Sequence, residues 1–160
     1  MHDFDNKAEQ NQKMSLKDIE LLTKNIGPEL MNVNITGGEP FYSHDFAFFC
    51  RLYIKNTSLD TIFFSTHGGP TKRIKNFLEV IKENPKTTFI FSISIDQIAS
   101  KHNEYRKVKN LFESAIETYN LLQISGKNIR SMVSITVSEF NCDDIDEIFE
   151  VLTKDYGIKE

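Results

Sequence analysis

Four strand patterns separated by single helix patterns constrain this 160-residue chain more than any other feature. The predicted strands span residues 31–36, 61–66, 87–95 and 129–138. The order α-β-α-β-α-β-α-β-α predicts a parallel sheet joined by right-handed crossover connections. Because four strands cannot close an eight-stranded barrel, the predicted fold class is α/β, either an open sheet or a partial (β/α) barrel of four parallel strands.

The helix patterns have recognisable limits. Ser15 and Asp18 form a predicted capping box, and the glycine and proline at 27–28 predict the end of the first helix. Helical spacing of apolar residues predicts the remaining helices over residues 45–54, 71–83, about 104–122, and from Asn141 to before Gly157.

Small polar residues share one face of three predicted strands. They are Asn32, Asn34 and Thr36 in the first, Ser92, Ser94 and Asp96 in the third, and Ser134, Thr136 and Ser138 in the fourth. This pattern fits a polar cleft or open barrel interior about as well as it fits a sheet with one solvated face. The βα order favours the cleft, with its site at the carboxyl ends of the strands.

Composition excludes several classes of function. The net charge of −4 and pI near 5.6 give no basic footprint for nucleic acid or an anionic membrane. No apolar run approaches the roughly 20 residues that span a bilayer, and residues 1–14 are polar, so a cytoplasmic protein is expected. The two cysteines, Cys50 and Cys142, form no CxxC-type clip, and both are expected to be buried thiols.

The first strand runs into the segment Thr36, Gly37, Gly38, Glu39 and Pro40. Two glycines allow the backbone to approach a ligand closely, and the proline fixes the turn that carries the carboxylate. Taken alone, this segment fits a tight βα turn, an amine or ribose contact, or a general acid or base.

Several ordered motifs resemble the radical SAM superfamily. Residues 34–41 (NITGGEPF) resemble its GGEP motif, and residues 92–96 resemble its fourth strand. His102 to Arg106, followed by Phe112, is similar to the HDxxR segment of the branch with SPASM-type or twitch-type C-terminal domains. Residues 137–141 are similar to the fifth strand of that branch, so the resemblance covers about residues 14–152.

The resemblance implies that S-adenosylmethionine (SAM) is bound. Gly37, Gly38 and Glu39 would contact the amino group of its methionine moiety, with backbone and carboxylate oxygens as acceptors. Ser94, Asp96 and Arg106 would contact the ribose and the carboxylate, for which a guanidinium is well suited. Thr36, Pro40 and Ser138 complete the implied cofactor-binding set. On chemistry alone, Arg106 equally fits a solvated charge or a pair with Glu104 or Asp96.

Two departures from the family pattern stand out. His67 occupies a glycine-rich turn where many relatives carry Asn, and we assign it no catalytic role. The CxxxCxxC motif that holds a 4Fe–4S cluster is absent. We expect a partial reading frame: residues 1–14 as a polar loop remnant and 15–160 as a partial core domain, without the first strand and its cluster loop and without the sixth strand. The cluster is then expected only in the full-length protein.

Three hypotheses follow. The first is the SAM-binding portion of a radical SAM enzyme, which would cleave SAM to a 5′-deoxyadenosyl radical and abstract hydrogen from a substrate, with a peptide or protein as one candidate. The second is a cluster-less homologue acting as a non-catalytic SAM- or peptide-binding module. The third is a generic α/β enzyme using Glu39 or His67 as acid or base. Exposed edges on the first and last strands would favour aggregation or a protein partner.

Overall fold

The computed structural model describes residues 14–159. Its helices are α1 (Leu16–Ile26), α2 (Phe46–Asn56), α3 (Thr71–Ile81), α4 (Ala99–Arg106), α5 (Leu111–Gln123) and α6 (Ile145–Lys154). Its strands are β1 (Asn32–Ile35), β2 (Thr61–Thr66), β3 (Thr88–Ser94) and β4 (Ile129–Ser134), all parallel and in the order β1-β2-β3-β4. The predicted α/β class is confirmed, and the sheet with its crossover helices is consistent with a partial radical-SAM-type barrel.

The ends of α1 follow the sequence signals. The Asp18 amide donates to the Ser15 hydroxyl at 3.2 Å, and the Ser15 amide donates to the Asp18 carboxylate at 2.8 Å, so the predicted capping box is present. Gly27 ends the helix at φ +60°, a conformation that favours glycine. A short 3-10 turn, Gly27–Glu29, then leads into β1.

One face of the sheet packs against the helices and forms the core. Phe64, Phe89 and Phe91 are fully buried on this face, and they meet phenylalanines from the neighbouring helices. Edge-to-face ring contacts, such as Phe64 with Phe77 at a centroid distance of 5.4 Å, are the geometry that aromatic pairs prefer. Bulky phenylalanines therefore fill the space between sheet and helices.

On the opposite face of the sheet, most residues of β2 and β3 are only partly buried. In register, Ser94 of β3 lies beside Ser134 of β4, and Ser65 of β2 lies beside Ser92 of β3. Phe63, Ile90 and Met132 alternate with these polar residues, and none of the three belongs to the core cluster. The small polar residues thus share one face of the sheet, as predicted, but that face also carries Phe63, Ile90 and Met132, because residues two apart on a strand point to the same side.

The helix predicted over residues 104–122 is wrong, because the chain forms two helices there. Lys107 and Asn110 adopt positive φ of 55° and 56°, which interrupts the helical backbone. The Asn103 side chain holds the bend, since its Oδ1 accepts from the amide of Phe112 at 2.7 Å and its Nδ2 donates to Glu113 at 3.1 Å. The break leaves α4 packed beside α5, with His102 of α4 accepting a hydrogen bond from the Asp96 amide after β3.

The fourth strand is shorter than the predicted 129–138, because side chains replace the ladder beyond Ser134. Asp96 Oδ1 accepts from the amide of Thr136 at 3.0 Å, and Asn141 Nδ2 donates to the Thr136 carbonyl at 3.0 Å. Thr136 and Ser138 therefore lie in a loop and not on the strand face. Asp96 likewise follows the end of β3.

Two smaller corrections concern the last helix and the cysteines. The predicted start at Asn141 is a 3-10 turn, Cys142–Asp144, and the α-helix begins at Ile145. Cys50 is buried as expected, but Cys142 is exposed, because it lies in that turn and not on the core face of α6.

Candidate functional site

The segment after β1 is fastened to the segment after β2 through one carboxylate. Glu39 Oε1 and Oε2 accept from the Thr66 hydroxyl at 2.9 and 2.8 Å, and Oε2 also accepts from the His67 amide at 2.9 Å. Oε1 accepts from the Phe41 amide at 3.2 Å, which fixes the start of the 3-10 turn Pro40–Tyr42. The Glu39 side chain is only 4% exposed.

The imidazole of His67 adds a further contact to the same carboxylate. The Gly69 amide donates to Nδ1 at 3.0 Å, so the ring proton resides on Nε2 in the neutral form. Nε2 lies 3.4 Å from Glu39 Oε2. A Cβ at Gly69 would lie 2.7 Å from His67 Cε1, so the ring occupies space that only a glycine leaves open.

The segment Thr66 to Gly69 packs against α5. Gly68 adopts φ +75°, and a Cβ there would lie 2.8 Å from the Ala115 Cα. The Gly68 amide donates to Thr66 Oγ1 at 3.0 Å, and the Gly68 carbonyl accepts from Thr118 Oγ1 at 2.7 Å. This close packing makes the β2 loop a fixed support for Glu39.

Gly37 and Gly38, by contrast, are exposed and uncrowded. Gly37 has φ +136°, and a Cβ added at either glycine meets no atom within 4 Å. Within residues 14–159, their carbonyl oxygens accept no hydrogen bond from the chain. The backbone of this segment is therefore open to a ligand, as the sequence predicted from its glycines.

A second polar cluster follows β3 and β4 and is centred on Asp96, which is 2% exposed. Its Oδ2 pairs with Arg106 NH2, and its Oδ1 accepts from the Thr136 amide. Asn141 Nδ2 donates to the Asp96 carbonyl at 2.9 Å, and the Asp96 amide donates to His102 Nδ1 at 3.2 Å. Asp96 thus joins the ends of two strands to α4.

Two nitrogen atoms in this cluster lack partners in the part of the chain that the structure describes. They are His102 Nε2 and Arg106 Nε, both buried. Burial lowers the pKa of His102 to about 4, although the nearby Asp96 charge acts in the opposite direction. His102 is therefore neutral at physiological pH, with its proton on Nε2. The Arg106 side chain as a whole is 34% exposed.

The predicted site residues divide between these two clusters. Both lie at the carboxyl ends of the parallel strands, where ligands bind in such folds. Thr36, Gly37, Gly38, Glu39 and Pro40 form the first, while Asp96 and Arg106 belong to the second. Ser94 ends β3 beside Ser134, and the Ser138 amide donates to Asn141 Oδ1 at 2.8 Å in the loop after β4.

Four residues that build these clusters were not among the predicted site residues: Thr66, His67, His102 and Asn141. His67 had a role only as an acid or base in the third hypothesis. In the sequence, His102 and Asn141 stood out only as members of the segments 102–106 and 137–141, which resemble motifs of the superfamily. Thr66 could have been found as a hydroxyl residue at the end of a buried strand that neighbours the Glu39 segment. A single sequence does not reveal that neighbour, because it does not give the strand order.

The described residues do not fit an iron–sulfur cluster. A 4Fe–4S cluster held in the superfamily's way needs three thiolates, and the sequence contains two cysteines. Cys50 is buried in α2, where burial raises the pKa of its thiol, whereas Cys142 is exposed after β4. Within residues 14–159, no group of three or more His, Cys, Asp or Glu side chains is placed to hold a metal ion.

The Gly37–Gly38 backbone and the Asp96–Arg106 pair thus follow the carboxyl ends of parallel strands in an α/β domain. The sequence model of the Radical SAM superfamily matches residues 3–152. The chain therefore belongs to the radical SAM superfamily, whose chemistry at that level is SAM-dependent radical chemistry.

A second similarity is shorter. ATP synthase subunit delta of Lactobacillus johnsonii is 32% identical over 88 residues, which cover 51% of this chain and 47% of that protein. The chain thus spans about half the length of this curated relative. The matched share is too small to establish that the two proteins belong to one family.

None of the helices in residues 14–159 combines the length and the apolar character that a bilayer span requires.

Proposed function

We propose that this chain is the SAM-binding portion of a radical SAM protein. The observation that carries the proposal is the superfamily match over residues 3–152, together with two polar clusters at the carboxyl ends of the strands. The Gly37–Gly38–Glu39 segment is assigned to the amino group of SAM, with Thr36 and Pro40 beside it. The resemblance to the GGEP motif supports this assignment.

The ribose and carboxylate of SAM are assigned to the second cluster. Ser94 supplies a hydroxyl at the end of β3, and Ser138 supplies another in the loop after β4. Arg106 is held in place by Asp96, and its guanidinium would pair with a carboxylate. Asp96, which is buried, contributes to this site through Arg106.

The chemistry proposed for this chain stops at binding, because the described residues do not fit the cluster. Bound SAM would supply the 5′-deoxyadenosyl group, and the 4Fe–4S cluster is proposed only for a full-length protein. The sequence motif similar to HDxxR motivates a peptide or protein as the substrate of that protein. Membership of the SPASM- or twitch-containing branch is part of the same proposal.

The alternative proposal is a cluster-less homologue that binds SAM or a peptide without catalysis. The presence of only two cysteines favours it. Sequencing the coding DNA upstream of Met1 separates the two proposals. An open frame that continues into a CxxxCxxC motif supports the enzyme, whereas an in-frame stop codon directly upstream supports the binding module.

Binding itself is tested by equilibrium dialysis of the purified chain against SAM. The informative pair of variants is Ser94→Tyr and Thr88→Tyr, because both residues lie on the same face of β3 at opposite ends. We expect saturable binding that Ser94→Tyr abolishes and that Thr88→Tyr changes less than about twofold. A dissociation constant weaker than about 1 mM for the wild-type chain would refute the proposed function.

A further inference from the structure

The Glu39 carboxylate has little remaining capacity for a ligand. An ionised carboxylate offers about four lone-pair positions. Hydrogen bonds from Phe41, Thr66 and His67 reach both of its oxygens, and His67 Nε2 lies 3.4 Å from Oε2. With 4% of the side chain exposed, an ammonium group would have to displace contacts that the fold already makes.

The neighbouring glycines present the opposite situation. Gly37 and Gly38 are exposed, and within the described chain their carbonyls accept no hydrogen bond. A carbonyl oxygen is a good acceptor for an ammonium, and two adjacent carbonyls can share one. The glycine carbonyl oxygens, which accept no hydrogen bond from the described residues, thus lie directly beside a carboxylate whose oxygens already accept several.

We infer that Glu39, Thr66 and His67 act as positioning residues, which tie the Gly37–Gly38 backbone to the loop after β2 so that its carbonyl oxygens receive the ammonium of SAM. The ligand in this inference rests on the proposed function. The tie between the two loops does not, because it is a property of the chain alone. Thr66 and His67 would then govern binding without touching the ligand.

The tie is effective because one of the two loops is fixed. Thr66 is the last residue of β2, and Gly68 packs closely against Ala115 with its carbonyl bonded to Thr118. The Gly37–Gly38 segment has no comparable packing of its own. Its position therefore depends on Glu39, the only side chain through which it reaches the β2 loop among the described hydrogen bonds.

The first measurement is amide hydrogen exchange of the full chain without ligand, followed by NMR. In Glu39→Gln, a single amide oxygen must replace two carboxylate oxygens that accept from the Phe41 and His67 amides separately. One of these two amides should exchange at least about tenfold faster, while amides at the start of β2 remain unchanged. Exchange within about twofold of wild type at both amides would overturn the inference.

The second measurement compares SAM with its analogue lacking the α-amino group in a double-mutant cycle. Thr66→Val removes the hydroxyl that binds Glu39, and Thr61→Val makes the same change at the other end of β2 as a control. If Glu39 is a positioning residue, Glu39→Gln and Thr66→Val each weaken SAM binding about tenfold. Both variants reduce the preference for SAM over the analogue without the amino group by the same factor. The effects of the two substitutions are non-additive in the double variant. Thr61→Val changes neither quantity.

A direct contact gives a different pattern. Glu39→Gln would then abolish the preference for the amine, while Thr66→Val would leave it within about twofold, and that result overturns the inference. If wild type binds no SAM, the proposed function fails, and amide exchange still decides whether Glu39 ties the loops together. If Glu39→Gln does not fold, Thr66→Val provides the exchange test at the His67 amide, whose acceptor is Glu39.

Discussion

The backbone carbonyl of Gly68 accepts a hydrogen bond from Oγ1 of Thr118 at 2.7 Å, although 50 residues separate them in the chain. The same Thr118 hydroxyl lies 2.8 Å from Oγ1 of Thr71, at the start of α3. These bonds join α5 to the loop after β2, which in turn supports Glu39. The geometry of the candidate site therefore depends on a helix that contributes no residue to it.

Gly68→Ala should destabilise the protein by about 2–4 kcal/mol. The left-handed φ of +75° costs about 1–2 kcal/mol for a residue with a Cβ, and the added methyl would lie 2.8 Å from the Ala115 Cα. Gly157→Ala is the matched control, because Gly157 has φ +64° and nothing within 4 Å of an added Cβ. Its cost should stay near 1 kcal/mol in urea unfolding. Equal losses for both variants would contradict the close packing.

The fold was largely predictable because periodicity and helix-end signals are local. The strand at 61–66 was predicted with its observed limits, and the capping box at Ser15 fixed the start of α1. The break between α4 and α5 was not predictable from apolar spacing, which continues across it. That break depends on hydrogen bonds from the Asn103 side chain and on two residues with positive φ.

The candidate site was predictable only in part. The glycines at 37 and 38 indicated an open backbone, because their type is informative without knowledge of the fold. The engagement of Glu39 by Thr66, and of Asp96 by Arg106, depends on which strands are neighbours. A single sequence carries no signal for that order beyond the βα rule, so the hydrogen bonds that these two carboxylates make to neighbouring segments were not predicted.

Stability should fall as the pH is lowered from about 6.5 to about 4 because of His102. Burial lowers its pKa to about 4 in the folded protein, against 6.5 for a free imidazole. In this window the unfolded chain binds a proton that the folded protein does not, so protonation favours unfolding. The stabilisation is complete above pH 6.5, and about 2–3 kcal/mol should be lost by pH 4.

The contribution of His102 is isolated by comparison with His102→Asn. The asparagine carbonyl can accept from the Asp96 amide as Nδ1 does, but it does not titrate. The free energy of unfolding of both proteins is measured in urea from pH 7.5 to 4.5. The difference between the two proteins cancels the contribution of the carboxylates that both contain. The wild type should lose about 2 kcal/mol more than the variant over this range. Parallel profiles would show that His102 does not titrate as described.

Asn141→Ala should cost about 2–4 kcal/mol, because one buried side chain bridges three backbone groups. Its Nδ2 donates to the carbonyls of Asp96 and Thr136, and its Oδ1 accepts from the Ser138 amide. Truncation leaves these three backbone groups without partners, and the residue that is removed is only 1% exposed. Gln123→Ala is the control, since it removes an exposed hydrogen bond and should cost less than about 0.5 kcal/mol. A loss of similar size in both thermal melts would contradict the bridging role.

The two thiols should differ strongly in their reaction with an aromatic disulfide reagent. Cys142 is exposed, whereas Cys50 is 0% exposed in the core and burial raises the pKa of its thiol. Because the thiolate is the nucleophile, we expect one equivalent to react rapidly and the second only as the protein unfolds, at least about 100-fold more slowly. Cys142→Ser should abolish the fast phase and leave the slow phase unchanged. Two fast equivalents in the folded wild type would show that α2 opens readily.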